Sequence, residues 1–92
     1  MNIVWSEAGW SDLDRLHGFL ADYDLDAADA VFDRLAEAPE TLLQFPRRGA
    51  RLSQFDDVEV RELRVGNYLL RYEVAADEIR VLRFFRAREN RT

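Results

Sequence analysis

Residues 68–74 repeat with the two-residue period of a β-strand, and this period constrains the fold more than any other feature. Their apolar positions alternate with a leucine, an arginine and a glutamate, which would place the two sets on opposite faces of a sheet. Gly66-Asn67 supplies a tight reversal before this segment, and residues 75–78 supply another that leads into residues 79–85. A strand between two short reversals can pair with both neighbours, so the last third of the chain predicts a three-stranded antiparallel meander.

Before the meander, apolar residues recur at spacings of three and four, which predicts an amphipathic helix from Glu7 to about Ala21. Ser6 is a good cap for its first turn, and the apolar residues 2–5 before it predict a short strand. The apolar stripe of the helix consists of Leu13, Leu16, Leu20 and Tyr23. The polar residues between them, for which we expect a solvated face, are Asp12, Asp14, Arg15 and Asp22.

A second helix is predicted after Asp24 or Asp26, since either residue can cap its first turn. Pro39 either ends this helix or occupies the first turn of a short helix that runs through Leu43. Residues 46–57 break the helical pattern and predict a mobile connection to the strands. The apolar stripe of the second helix consists of Ala28, Val31, Phe32, Leu35 and Ala38.

The order strand, helix, helix and three antiparallel strands predicts an α+β fold, with the helical hairpin packed on one face of the sheet. The 92 residues are enough for one modest core, so we expect residues 1–92 to form a single domain. The first strand of the meander begins at about Val58. Strand alternation would place Val58 and Val60 on one face of the sheet but Leu63 on the other. This change of face predicts a β-bulge or a half-covered strand there.

The composition removes several kinds of chemistry. With no cysteine and a single histidine, His17, neither a metal site nor a thiol nucleophile is expected, and nothing in the chain calls for a cofactor. We expect His17 to lie on the surface of the first helix or between the helices. No segment approaches the roughly 20 apolar residues that span a bilayer, and the first residues lack the features of a signal peptide. A cytoplasmic protein without a membrane partner is therefore expected.

Charge is distributed unevenly along the chain, whose net charge is −5. Residues 1–45 contain ten acidic residues and two arginines, a net −8, whereas residues 46–92 contain eleven arginines and eight acidic residues, a net +3. The last predicted strand and its end form the candidate partner-binding surface, because arginine and aromatic residues concentrate in binding hot spots. The residues concerned are Arg83, Phe84, Phe85, Arg86 and Arg88. One of the two phenylalanines must still belong to the core.

An ordinary surface arrangement is the alternative for the arginines of the meander. In that arrangement they pair with glutamates on adjacent strands, an interaction worth only about 0.2–1 kcal/mol for each exposed pair. The arginines concerned are Arg61, Arg71, Arg80, Arg83, Arg86 and Arg88. Their possible partners are Glu59, Glu62, Glu73 and Glu78.

Several short motifs, none of them specific by itself, occur in an informative order. They are Val4-Trp5-Ser6, Asp12-Leu13, Ala27-Ala28, residues 42–49 with Pro46, Arg61-Glu62-Leu63, Gly66-Asn67-Tyr68, Tyr72-Glu73-Val74, Ile79-Arg80-Val81-Leu82 and Arg86-Ala87-Arg88-Glu89. Together they resemble the RelE/ParE superfamily of bacterial toxins from type II toxin–antitoxin modules, over nearly the full length of the chain. The resemblance implies a strand-helix-helix-three-strand fold, a neutralising antitoxin that forms a hetero-oligomer with the chain, and an essential intracellular target.

Two branches of that superfamily differ in chemistry. RelE-like members resemble ribosome-dependent endoribonucleases that cut mRNA, whereas ParE-like members resemble inhibitors of DNA gyrase that need no catalysis of their own. For a nuclease, the resemblance would place the site at Arg61, Glu62, Arg71 and Arg86. Arginine cannot exchange protons near neutral pH, and the chain has no lysine and no tyrosine after Tyr72. We therefore assign no catalytic residue.

The resemblance to the ParE-like branch is favoured because proton-transfer residues are missing. The expected function is a toxin that binds DNA gyrase and is neutralised by a cognate antitoxin, with no sequence-specific contact to nucleic acid. We expect the antitoxin to bind as an extended segment plus a helix, along an apolar groove at the helical hairpin and sheet edge. Two alternatives stay open: a ribosome-dependent mRNA endoribonuclease and a non-toxic module that only binds antitoxin.

Overall fold

A five-stranded sheet carries two helices on one of its faces. The computed structural model describes residues 1–88. The first elements are strand β1, Asn2–Trp5, helix α1, Glu7–Ala21, and helix α2, Leu25–Glu37. A 3₁₀-helix, Ala38–Leu43, and a short strand β2, Ala50–Arg51, follow. The last elements are the strands β3, Val60–Val65, β4, Tyr68–Val74, and β5, Glu78–Arg86.

The strands lie in the order β1-β5-β4-β3-β2. β3, β4 and β5 are antiparallel neighbours, which confirms the predicted meander, and β1 joins β5 in parallel. β2 lies inside the predicted connection of residues 46–57, where it pairs with β3. The architecture is the predicted α+β fold, with one more strand than the sequence indicates.

Both helices begin at residues whose side chains satisfy the first backbone donors of a helix. The Oγ atom of Ser6 accepts a hydrogen bond from the backbone N–H of Gly9 at 2.9 Å, and Oδ1 of Asp24 accepts one from the N–H of Ala27 at 3.1 Å. Pro39 stands in the first turn of the 3₁₀-helix, where its missing N–H costs nothing, so the predicted short helix is confirmed. No helix within residues 1–88 is both long enough and apolar enough to cross a membrane.

The core lies between the helical hairpin and the inner face of the sheet. Its buried residues are Leu13, Leu16, Leu35, Ala38, Leu42, Leu70, Tyr72, Ile79, Val81 and Phe84. Two predictions about α1 are wrong. Tyr23 is 81% exposed because the helix ends before it, and Asp12, expected on the solvated face, is only 3% exposed.

The strand register assigns each side chain of the meander to one face of the sheet. β3 pairs with β4 without interruption from Val60 to Val65, so the bulge predicted there is wrong. Val60 is buried on the outer face and Leu63 is half-buried on the inner face, which is the half-covered strand that the sequence offered as the alternative. The register shifts instead in β5, beside Tyr72, where Leu82 is the additional residue.

Candidate functional site

The five residues predicted to bind a partner do not form one surface. Arg83 and Phe85 lie on the outer face of the sheet, and Phe84 is fully buried in the core. The partner-binding role predicted for Phe84 is therefore wrong, and Phe84 is the phenylalanine that the core requires. Arg86, opposite Tyr68, faces the helix side, because neighbouring strand residues point to opposite faces. The last of the five, at position 88, follows the strand on that same side.

Asp12 joins α1 to β5 beyond the end of β1. It accepts hydrogen bonds from Nε and Nη2 of Arg83, at 2.7 and 3.0 Å, and from the backbone N–H of Phe84 at 2.9 Å. β1 pairs with β5 only as far as Val81. Beyond that residue, the Asp12 carboxylate accepts the backbone hydrogen bond that a further residue of β1 would otherwise accept. Ser6 bonds to the same edge one step earlier, because its Oγ donates to the carbonyl of Leu82 at 2.8 Å. Buried and paired, Asp12 fixes the position of Arg83.

On the outer face, arginine and phenylalanine side chains alternate in what we call the outer-face stack, formed by Phe55, Arg71, Phe85 and Arg83. The guanidinium carbon of Arg71 lies 5.6 Å from the ring centre of Phe55 and 5.0 Å from that of Phe85. That of Arg83 lies 5.4 Å from the Phe85 ring. Nε and Nη2 of Arg71 also donate to Oε2 of Glu62, at 3.1 and 2.9 Å. These contacts hold flexible side chains in one arrangement, which reduces the entropy that a binding partner must remove.

A cleft of about 430 Å³ opens on the helix side, between α1, the β3–β4 turn and the end of β5. At its mouth the guanidinium carbon of Arg86 lies 4.4 Å from the ring centre of Phe19, a side chain that is 46% exposed. The residues that line it are Phe19, Leu20, Arg64, Asn67, Tyr68, Arg86, Ala87 and Arg88.

A second depression, of about 290 Å³, lies between α2, the 3₁₀-helix and β3. Its lining residues are Arg34, Glu37, Ala38, Thr41, Arg48, Leu63, Arg64 and Val65. Arg64 borders both depressions, so we treat them together as the arginine cleft. Its five arginines are Arg34, Arg48, Arg64, Arg86 and Arg88.

The loop that carries Arg48 is fixed from below, although the sequence predicts a mobile connection there. The buried hydroxyl of Tyr72 donates to the carbonyl of Pro46 at 2.7 Å and accepts from the N–H of Gly49 at 2.9 Å. Burial raises the pKa of this phenol above its ordinary 10.0, so the hydroxyl keeps the proton that it donates. Gly49 is required by space, because an added Cβ would lie 2.7 Å from the carbonyl oxygen of Glu62.

Glu59 holds the same loop from the side. Its carboxylate accepts from Nε of Arg61 at 2.7 Å and from Nε and Nη2 of Arg47, both at 2.9 Å. These bonds from Arg61 and Arg47 lower the pKa of Glu59 below its ordinary 4.5. Arg61 in turn donates to the carbonyl of Gly49 at 2.7 Å. These hydrogen bonds fix only the first residues of the predicted connection of residues 46–57.

Glutamates pair with several arginines of the meander, but only Arg71–Glu62 and Arg80–Glu73 join adjacent strands as the alternative interpretation expects. Arg61 pairs with Glu59 and Arg71 with Glu62. Arg80 pairs with both Glu78 and Glu73. His17 lies between the helices as expected, with Nε2 2.7 Å from Oδ1 of Asp29 on α2.

The four residues named for a nuclease site are divided between the two faces of the sheet. Glu62 and Arg71 are cross-strand neighbours on the outer face. Arg61 lies opposite Tyr72 on the inner face, and Arg86 lies on that face near the helices. The register therefore brings two of the four together and separates them from the others. Within residues 1–88 no group of three or more acidic or histidine side chains is arranged to hold a metal ion.

Sequence reasoning missed Asp12, Tyr72 and the arginines contributed by α2 and the loop after the 3₁₀-helix. The signal for Asp12 is its position beside Leu13, at the border of the apolar stripe, but a carboxylate at such a border usually faces solvent. In the sequence, Tyr72 is not distinguishable from the other apolar residues of the alternating strand pattern. Nothing in the local sequence of Arg34 or Arg48 indicates that they line the same depression as Arg64.

Comparisons with known proteins agree on one family. A family model described as the ParE toxin of the type II toxin–antitoxin system parDE matches residues 3–91. Among solved structures, a chain of the chromosomal ParDE TA system from P. aeruginosa matches with a TM-score of 0.78 and 22% sequence identity, over 94% of this chain and 95% of that one. A search of curated proteins gave no match. At 22% identity the structural likeness establishes a shared fold.

Proposed function

Because the chain belongs to the ParE toxin family of type II toxin–antitoxin systems, we propose that it inhibits growth by binding DNA gyrase in the cytoplasm. The proposal rests on the outer-face stack, in which contacts with Asp12 and Arg71 fix the side chains of Arg83 and Phe85. Arginine and aromatic residues are enriched in binding hot spots, and fixed side chains lose less entropy on association. The stack is therefore the surface proposed to contact gyrase.

The distribution of charged groups supports binding in preference to RNA cleavage. Cleavage by attack of a 2′-hydroxyl needs a base, an acid and positive charge around one phosphate. Here Glu62 is bound to Arg71 on the outer face, away from Arg61 and Arg86. Arginine stays protonated near neutral pH, so it cannot replace the missing proton donor.

A toxin of this family has a cognate antitoxin as its partner. We expect the two to form a hetero-oligomer in which an extended segment and a helix of the antitoxin cover the groove between the hairpin and the sheet. Exposed apolar residues on the hairpin side are available for such a helix, since Phe19 is 46% exposed and Leu25 58% exposed. Folding on binding would let a disordered chain cover this large surface.

One experiment separates the gyrase binder from both alternatives. The chain is expressed without antitoxin while growth, plasmid supercoiling and mRNA ends are followed in the same cultures. We expect arrested growth and relaxed plasmids with unchanged mRNA ends. Normal supercoiling with new mRNA cleavage sites would contradict the proposal and favour the nuclease, and normal growth would leave only the non-toxic module.

The contribution of the stack is tested in the same cultures with Phe85→Ala. This change removes the ring between Arg71 and Arg83, and we expect it to relieve the growth arrest in part. Arg80→Ala is the matched control, because Arg80 lies on the outer face of β5 but outside the stack. Equal toxicity of the two variants, at equal protein levels, would place the gyrase contact elsewhere.

A further inference from the structure

The part of the arginine cleft beside the β3–β4 turn collects positive charge from three separate elements. Arg34 comes from α2, Arg48 from the loop before β2 and Arg64 from β3, and all three line the depression of about 290 Å³. All three residues are exposed to solvent. None of them makes an ion pair within residues 1–88. The depression therefore holds three accessible cations that no carboxylate of the described chain neutralises.

Two of these arginines meet at Gly66, the glycine of the β3–β4 turn. A Cβ added to Gly66 would lie 2.9 Å from Nη1 and 3.3 Å from Cζ of Arg34, so this guanidinium group lies directly over the turn. Nε of Arg64 donates to the carbonyl oxygen of the same glycine at 2.9 Å. Both guanidinium groups are thus adjacent to one residue, and like charges so placed repel each other. An anion bound to both would remove that repulsion.

The third arginine, Arg48, lies on a loop whose backbone is fixed. The hydroxyl of Tyr72 bonds the carbonyl of Pro46 and the N–H of Gly49, on either side of it in the sequence. Glu37 is the acidic residue that lines the same depression, but it is exposed and forms no ion pair with any of the three arginines. Three arginines against one glutamate leave the lining with a net positive charge.

The floor of the depression is apolar. Leu63 and Val65 line it and are half-buried against the core. An apolar wall has a low dielectric constant, and a cleft that combines such a wall with charges of one sign focuses the electric field and concentrates counter-ions. The floor therefore strengthens the attraction of the three arginines for an anion.

The size and charge of the depression distinguish between two kinds of phosphate ligand. A phosphoanhydride chain places several negative charges in a compact group, and its oxygens suit the forked donors of arginine. Nucleic acid spreads its charges along an extended chain, so it also meets the acidic surface of a protein whose net charge is −5. Screening acts over about 8 Å at physiological ionic strength, so a compact anion interacts mainly with the arginines nearest to it.

We propose that the depression beside Gly66 is a binding site for a polyphosphate group, held by the guanidinium groups of Arg34, Arg48 and Arg64. The ligand chemistry is the phosphoanhydride chain, which inorganic polyphosphate and the triphosphate of a nucleotide share. The site lies on the helix side of the sheet, away from the outer-face stack, so it does not depend on gyrase binding. Because the antitoxin is expected to cover the same groove, the site is tested in the chain without antitoxin.

The purified chain is titrated with sodium tripolyphosphate at physiological salt without divalent cations, and binding is measured by calorimetry. Arg34→Ala/Arg48→Ala removes two of the three arginines. Arg51→Ala/Arg80→Ala is the charge-matched control, because both residues are exposed and line neither depression of the cleft. Circular dichroism first establishes that both variants are folded.

We expect one tripolyphosphate to bind per chain, and the cleft variant to bind it about 10- to 100-fold more weakly, because it loses charge-assisted hydrogen bonds from two guanidinium groups. The control variant should bind it as the unchanged chain does. No binding to the unchanged chain, or an equal loss in both variants, would overturn the proposal. So would a short oligouridylate that binds as tightly as tripolyphosphate, since the site would then take nucleic acid. Titration with ATP separates the two sources: tighter binding of ATP assigns the site to a nucleotide, and tighter binding of tripolyphosphate to inorganic polyphosphate.

Chemical modification of arginine locates the ligand without any change of sequence. The chain is treated with phenylglyoxal, which reacts with accessible guanidinium groups, and peptide mass spectrometry compares each arginine with and without tripolyphosphate. We expect protection of Arg34, Arg48 and Arg64 and no protection of Arg51 and Arg80. Uniform protection of all five, or protection only outside the depression, would contradict the proposed site.

Discussion

The outer-face stack and the arginine cleft use the same residue type in two different ways. In the stack, Arg71 is bound to Glu62 and Arg83 to Asp12, so each charge has a carboxylate partner within the fold. In the cleft, Arg34 and Arg48 make no ion pair within residues 1–88 and instead flank an apolar floor. The first arrangement fixes side chains in place, and the second keeps positive charge available to a partner.

The arginines of the stack and those of the cleft differ because they come from different kinds of structural element. Strand register places Glu62 directly opposite Arg71, so this pair forms wherever the meander forms, whereas Asp12 reaches Arg83 from α1. Arg34 and Arg48 come from a helix and a loop, so no strand register places a carboxylate opposite either of them. A paired arginine should therefore affect stability when its partner is removed, whereas Arg34 and Arg48 should affect only binding.

The largest expected effect is that of Asp12→Ala on stability. The change removes three hydrogen bonds from a carboxylate that is 3% exposed and leaves the Phe84 N–H without its acceptor. Because Arg83 remains partly in water, we expect a loss of about 2–3 kcal/mol in the free energy of unfolding, measured by urea denaturation. Asp14→Ala, on the exposed side of the same helix, should change it by less than about 0.5 kcal/mol. Equal effects of the two changes would contradict the role given to Asp12.

Tyr72→Phe should cost about 1–2 kcal/mol, because it removes the hydroxyl that bonds Pro46 and Gly49 and leaves a buried N–H unsatisfied. Hydrogen exchange should also become faster at the backbone N–H of Gly49. Tyr23→Phe is the control, since Tyr23 is 81% exposed. Unchanged exchange at Gly49 in Tyr72→Phe would show that the loop is held by other contacts.

The free energy of unfolding should fall at both extremes of pH, because Glu59 and Tyr72, which hold the loop that contains Gly49, change protonation there. The pKa of Glu59 is lowered in the folded chain, so its contribution is complete above the ordinary 4.5 and is lost as pH falls through the folded value. The pKa of Tyr72 is raised, so its contribution is complete below 10.0 and is lost as pH rises above it. Thermal denaturation of Glu59→Gln and Tyr72→Phe across pH should flatten the acid and alkaline limbs respectively. A parallel shift of the whole profile would contradict this assignment.

The smallest expected effect on stability is that of Arg34→Ala/Arg48→Ala. With no ion pair to lose within the described residues, each change should alter the free energy of unfolding by less than about 0.5 kcal/mol. The same double change should weaken antitoxin binding, measured by calorimetry. A large loss of stability would show that these arginines are structural and would remove the contrast with the stack.

The sequence predicts the regular elements well, because their evidence is local. The alternation in residues 68–74 and the apolar stripes of the two helices each repeat several times, and Ser6 and Asp24 cap helices as expected. β2 is too short to show a period, since it has two residues. The bulge at Leu82 has no local signal, because it depends on how β5 pairs with β4 and where β1 ends.

The candidate sites are predicted less well, because they depend on contacts between distant segments. Asp12 carries the polar pattern of a solvated residue and becomes buried only when β5 supplies Arg83, 71 positions later. The run from Arg83 to Arg88 is recognisable as a binding candidate, but its division between two faces and the core follows from the pleat and the bulge. The cleft requires α2, the 3₁₀-helix and β3 to line one depression, which only the tertiary fold determines.

Inhibition of purified DNA gyrase is the most direct test of the account. Supercoiling of relaxed plasmid is titrated with the purified chain, with Phe85→Ala and with Arg34→Ala/Arg48→Ala, after circular dichroism has confirmed that all three are folded. We predict inhibition by the unchanged chain, weaker inhibition by Phe85→Ala and full inhibition by the cleft variant. Full activity of gyrase at saturating concentrations of the unchanged chain, or loss of inhibition in the cleft variant but not in Phe85→Ala, would contradict the account.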